Sequence, residues 1–175
     1  IFQGNGIIQI LSPEQSTNYM FTILLTIYVT ITTLLLFRFI VNLSKIISKA
    51  LTHQSIPYKT SKIVLINEDV TPHSFLNYLF IHNKEYENIE NEILVHEYAH
   101  IQQRHSYDIL LMEILQTVFW FNPVMLFYRK AIQLNHEYLA DEAVINNTQN
   151  ISSYQYLLID KISKGKTYNL TSQFN

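Results

Sequence analysis

The chain has 175 residues, enough for one modest domain, with 48% hydrophobic residues, 15% charged residues and a formal net charge of -2. That balance is too apolar for a disordered chain and leans towards a membrane protein, while the near-neutral charge offers no basic surface for nucleic acid. There is no cysteine, which excludes disulfides and thiolate metal sites and leaves the seven histidines and the carboxylates as the available metal ligands.

The chain starts at Ile1, so it is expected to be a piece of a longer protein. From Met20 to Val41 it reads MFTILLTIYVTITTLLLFRFIV, with Arg38 as the one charged residue. A run of that length matches the roughly 20 residues of a spanning helix, so residues 20–42 are predicted to cross a membrane. The preceding residues 1–19 carry Glu14 and no basic residue, whereas Lys45, Lys49, Lys59 and Lys62 follow the span. Basic residues concentrate on the cytoplasmic side. Residues 1–19 are therefore expected to form an external segment and residues 43–61 a polar, partly helical cytoplasmic connector, with Arg38 snorkelling to that interface.

Residues 62–165 are expected to form the main domain, and residues 166–175 a polar tail. Lys62 to Ile66 (KIVLI) predicts a short strand, Asn67 to Asp69 a turn, and Asn77 to Ile81 a second strand after Pro72. Lys84 to Asn91 is a polar loop leading into a helix from about Asn88 to Tyr107, with Glu90 and Glu92 complementing the dipole of its first turns. Ile109 to Tyr128 is strongly apolar, interrupted by Glu113, Gln116 and Asn122-Pro123. Ile109 to Phe121 is expected to be membrane-associated or spanning, although Asp108 and Glu113 also fit polar contacts inside a bundle. Asn122 and Pro123 suit the start of a further helix running to about Asn146. Its apolar positions Val124, Phe127, Tyr128, Ala131, Leu134, Tyr138 and Ile145 keep helical spacing. A final short helix is predicted over Ser152 to Ile162. Ser163 and Lys166 share the spacing of a serine-lysine catalytic pair, but no supporting motif accompanies them.

His96-Glu97-Tyr98-Ala99-His100 is the motif that carries chemistry. Two histidines four apart on a helix point in nearly the same direction and can bind one ion. Glu97 points near enough to reach a water on that ion without binding it, which is the division of labour of a zinc hydrolase. The same five residues also occur in helices that hold no metal, so a third ligand has to be found. Position 106 is Ser and position 103 is Gln, and His105 is expected to face about 140° away from His100 on a continuous helix. Glu137 and Asp141 are better placed. They share one face of the later helix, so that Glu137 can bind the ion while Asp141 accepts a hydrogen bond from a ligand histidine. His136 and Tyr138 are weaker candidates for stabilising an oxyanion.

HEYAH, then FWFNPVMLFYRKAI, then NHEYLADEAVI, together with the earlier TPHSFLNYLF, resemble the integral-membrane zinc peptidases of the beta-lactam sensor and antirepressor type, the BlaR and MecR group. The similarity covers roughly residues 20–150. It implies a mainly α fold with a small β-sheet, in which a transmembrane helix joins a zincin-like domain whose HExxH helix packs on a second, ligand-bearing helix. It further implies one zinc per chain on His96, His100 and Glu137, with Glu97 catalytic. The implied activity is that of a regulatory endopeptidase of the bacterial cytoplasmic membrane, active on the cytoplasmic side. Its expected partners are lipid and a protein substrate, either the chain itself or a cytosolic transcriptional repressor, and no nucleic acid. No penicillin-binding sensor domain accompanies the match, so beta-lactam sensing is not implied for this chain. The competing reading is a membrane signal transducer whose metal site is non-catalytic or absent.

Overall fold

The computed structural model describes residues 14–68, 70–148 and 151–163. The parts of the expected external segment before Glu14, Asp69 of the expected turn, Lys166 and the expected tail lie outside the described residues.

The fold is mainly helical with one small sheet. Helix α1 runs unbroken over Glu14–Thr52, 39 residues, or about 58 Å at 1.5 Å per residue. Its stretch Tyr19–Thr52 is the one described helix long and apolar enough to cross a membrane. The expected connector is therefore helical through its first part, and the sheet begins directly afterwards. Strands β1 (Ser55–Tyr58), β2 (Ser61–Ile66), β3 (His73–Phe75) and β4 (Tyr78–His82) form one sheet in the order β1-β2-β4-β3. The two expected strands are β2 and, one residue later than expected, β4. They pair parallel at the centre, with Ile63 opposite Leu79 and Val64 opposite Phe80. The antiparallel edge strands β1 and β3 were not anticipated.

Side chains alternate between the two faces of a strand, and this alternation splits the core into two layers. Val64, Ile66 and Phe80 face α1, where they meet Ala50, Phe39, Leu43 and Ile46 together with Leu110. Ile63, Leu79 and Ile81 face the other way, onto Ile101 and Leu94 of helix α2 (Asn91–Gln102). A strand buried on both faces has to be almost uniformly apolar, which is why KIVLI lacks a clean alternation. The sheet is thus sandwiched between the long N-terminal helix and the helix that carries the His-Glu motif.

The remaining helices are α3 (His105–Val118), α4 (Val124–Asn147) and α5 (Ile151–Ser163), and a 3-10 turn over Tyr86–Asn88 precedes α2. The single helix expected from Asn88 to Tyr107 is broken. Gln103 closes α2, and Arg104 takes a left-handed conformation, φ 59°. Lys59 and Leu76, each in a β-hairpin turn, are also left-handed, at φ 50°. The chain's three glycines stand at positions 4, 6 and 165, so ordinary residues bear these three reversals. At Leu76 the arrangement is tied down, because its N–H donates to Ser106 Oγ at 2.8 Å and joins the β3–β4 turn to the start of α3.

Helix α4 begins at Val124, with Asn122 Oδ1 accepting the Val124 N–H at 3.0 Å, close to the expected Asn-Pro start. Its expected apolar stripe faces outward rather than into the core: Phe127 is 70% and Tyr138 64% exposed, whereas His136, Ala140 and Val144 are buried.

Candidate metal centre

Helices α2 and α4 pack against each other and bring together residues some 40 positions apart. The four-residue spacing of the motif puts both His96 and His100 on the side of α2 that faces α4, and the Glu137–Asp141 spacing does the same from α4. His96 Nε2 and His100 Nε2 approach to 3.3 Å. Glu137 offers Oε2 to His96 Nε2 at 3.3 Å and Oε1 to His100 Nε2 at 3.6 Å. Each of the three residues thus contributes a donor atom to a group lying within 4.8 Å.

The donor set fits a small divalent ion. Nitrogen and oxygen ligands about 2.0–2.1 Å from a tetrahedral zinc stand about 3.3–3.4 Å from one another, and the spacings above bracket that value. The His96 and His100 side chains are 12% and 15% exposed, whereas Glu137 keeps 29%, so the cluster is walled by the protein on the histidine side and opens past the carboxylate. Three candidate donors with one open side match the pattern that catalytic zinc sites have and closed structural ones lack.

Around this trio the structure fixes the orientation of each histidine. His96 Nδ1 donates to Asp141 Oδ1 at 3.1 Å, and the same oxygen accepts the Tyr154 hydroxyl at 2.7 Å. The expected supporting role of Asp141 therefore has its geometry, with buried Tyr154 of α5 as an added partner. Burial pushes the His96 imidazole down, but Asp141 and Glu137 outweigh it and hold the group up to about 9. Asp141 is itself raised by burial, and the His96 and Tyr154 hydrogen bonds more than offset this and leave it below the ordinary range. Two carboxylates gathered on one imidazole make a place that favours positive charge.

His100 is oriented by a residue that the sequence reading set aside. Because the chain reverses at Arg104, His105 folds back, and its Nδ1 lies 2.8 Å from His100 Nδ1. Gln103 Nε2 donates to the Leu139 carbonyl at 3.5 Å, which turns Gln103 Oε1 towards His105 Nε2 at 3.1 Å. An amide oxygen only accepts, so His105 carries its proton on Nε2 and accepts at Nδ1. His100 then donates from Nδ1, and its Nε2 lone pair faces the trio. Burial first, then neighbouring histidines, depress His100 to about 3 and His105 to about 4, which keeps both rings neutral as this chain of bonds requires.

His136 is buried but not directed at the trio. It stacks on His105 with ring centres 3.8 Å apart and bonds Asp108 Oδ2 at 3.0 Å, so it buttresses His105. Tyr138 points outward. Tyr98, the third residue of the motif, reaches Thr60 at 3.0 Å and packs edge-on against Tyr58, clamping α2 onto the β1–β2 turn. Glu97 is 5% exposed, and its charge acts on His96. The residues that sequence reasoning missed are Gln103, His105 and Tyr154. Only a predicted chain reversal at Arg104 could have pointed to the first two.

The family model described as BlaR1 peptidase M56 matches residues 7–172, which includes every residue of the centre and all the described elements. A search of the curated proteins finds no match.

Proposed function

The chain belongs to the BlaR1 peptidase M56 family, and from that premise we propose that it is a zinc-dependent membrane endopeptidase with one ion held by His96, His100 and Glu137. The observation that carries the reading is the convergence of these three donors at tetrahedral spacing, with Glu97 next to His96 on the same helix. Zinc held there would supply Lewis acidity towards a peptide carbonyl and towards water. Glu97 takes the proton from the attacking water and returns it to the leaving amide nitrogen. Its burial keeps that carboxylate away from bulk solvent, where competing hydrogen bonds would weaken it as a base. Asp141, Tyr154 and His105 hold the two imidazoles in position. The substrate is a polypeptide: β3 is an edge strand beside α2, and an extended segment can pair with it, main chain to main chain, and pass the metal centre.

The resemblance supports a regulatory role, in which the protease cleaves itself or a cytosolic transcriptional repressor. The excess of lysine after the apolar stretch of α1 supports a place in the bacterial cytoplasmic membrane with the centre on the cytoplasmic side. A transducer that keeps the site without chemistry is the competing reading, and the intact Glu97 argues against it.

Elemental analysis of the purified chain in detergent tests the metal, beside His96→Ala and Glu137→Ala. About one zinc per chain, lost in both variants, is expected. Glu97→Gln is expected to keep the zinc and lose cleavage of the chain itself and of unfolded peptide substrates. Wild-type protein that takes up no zinc when supplied with it would overturn the reading.

A further inference from the structure

Helices α3 and α4 form a hairpin whose tip lies against the apolar stretch of α1. The Tyr28 hydroxyl donates to the Val118 carbonyl at 3.0 Å, and the Tyr28 ring meets Phe121 edge-on with centroids 6.3 Å apart. At its other end α3 places Leu110 in the core layer shared with Phe39, Leu43 and Ile46, so α3 climbs antiparallel to α1. Tyr28 stands ten positions before Arg38, about 15 Å along the helix axis, which is about half of a 30 Å hydrocarbon core.

The hairpin is built for that depth. No charged residue stands between Glu113 and Arg129, and these two close the neck as a 2.6 Å ion pair that is 13% and 18% exposed. Arg129 is also held by Gln116 at 3.3 Å. The outward stripe of α3 is Tyr107, Leu111, Ile114 and Val118, and that of α4 includes Val124, Phe127, Leu134 and Tyr138, all exposed. At the tip three backbone donors are paired: Phe119 N–H to the Leu115 carbonyl, Asn122 N–H to the Phe119 carbonyl, and Val124 N–H to Asn122 Oδ1. Non-helical backbone is tolerated at membrane depth where protein covers it, and α1 supplies that cover through the Tyr28 contacts to Val118 and Phe121. The exposed tyrosines Tyr107 and Tyr138 sit towards the metal-centre ends of the two helices, where an amphipathic ring suits a headgroup boundary.

From this placement we infer that α3 and α4 form a re-entrant hairpin. It enters the lipid from the side on which the metal centre lies, reaches the middle of the acyl chains beside α1, and returns to the same side. The occupant of the exposed stripes is lipid hydrocarbon, continuous with the lipid around α1. The centre then hangs from the base of the hairpin at the membrane surface, and its substrates are polypeptides that lie close to the bilayer. The inference rests on the reading of α1 as a membrane-spanning helix.

Trp120 at the tip is the chain's single tryptophan, so the native protein carries its own depth probe. The full chain is reconstituted in phosphatidylcholine vesicles brominated either near the headgroup or near the middle of the acyl chain, with iodide as the aqueous quencher. The expected result is blue-shifted emission, loss of most intensity with mid-chain bromines, less with shallow ones, and no response to iodide. Vesicle-bound protein whose Trp120 is quenched by iodide would overturn the hairpin while leaving the anchoring by α1 intact. Blue-shifted emission that neither quencher reaches would show a protein cover, such as a second copy, and would also overturn it. Protein that does not sediment with the vesicles would overturn the membrane reading of α1 and the hairpin with it.

Discussion

Replacing His105 tests the chain of hydrogen bonds behind the metal centre. In His105→Phe the ring still stacks on His136, where the native rings are 3.8 Å apart and nearly parallel, but the acceptor for His100 Nδ1 is gone. The His100 side chain is 15% exposed, so water replaces that acceptor poorly. A buried N–H left without a partner costs about 1–3 kcal/mol. The ring can avoid the cost by moving its proton to Nε2, which removes the lone pair that faces His96 and Glu137. Either outcome weakens metal binding. Loss of such supporting partners lowers metal affinity about 10–100-fold, equivalent to about 1.4–2.7 kcal/mol. The assay is competition with a chromophoric zinc chelator at fixed pH in detergent, with thermal unfolding run in parallel. His105→Gln supplies an amide oxygen as acceptor and is expected to recover most of the lost affinity. A His105→Phe protein that is folded and binds zinc as tightly as the wild type would show that His100 is oriented by something else.

Three further outcomes are expected. Glu137→Ala should abolish stoichiometric zinc, whereas Asp141→Asn should keep it with affinity reduced about tenfold or more, as read by the same chelator competition. Arg104→Gly removes the left-handed strain of an ordinary residue, about 1–2 kcal/mol, against a chain-entropy cost of about 0.5–1 kcal/mol; thermal unfolding should show unchanged or slightly raised stability and unchanged zinc binding. Glu113→Ala leaves Arg129 buried without its partner, and loss of about 3–5 kcal/mol is expected. The exposed Lys49–Glu68 contact should matter far less, so Glu68→Ala serves as the control in the same melting series.

What the sequence disclosed follows from how local each signal is. His96, Glu97 and His100 depend on a single helical turn, and Glu137 with Asp141 on another, so spacing alone pointed to both clusters. Strand β2 was legible because burial on both faces requires an unbroken apolar run. Strand β1 was not, since it has four residues, one of them Pro57, and owes its place to pairing with β2 rather than to its own composition. The stripe on α4 is legible as a face from its helical spacing. Periodicity identifies an apolar side of a helix but is silent on whether protein or lipid will cover it. His105 was discarded on the assumption that one helix continued through residue 104. A positive φ at an arginine has no sequence signature, because the cost is met by tertiary contacts such as the Ser106 bond to Leu76.

The reversal at Gln103 and Arg104 also constrains what the gene can tolerate. Surface turns usually absorb insertions and deletions readily. Between α2 and α3 the spacer is only two residues long. Adding or removing one residue there would turn the start of α3 by about 100°, withdraw the His105 ring from His100 and swing the hairpin away from Tyr28. Length variation in this protein should accordingly be absent from this turn. Composition can change there more freely, provided that position 104 accepts the left-handed conformation.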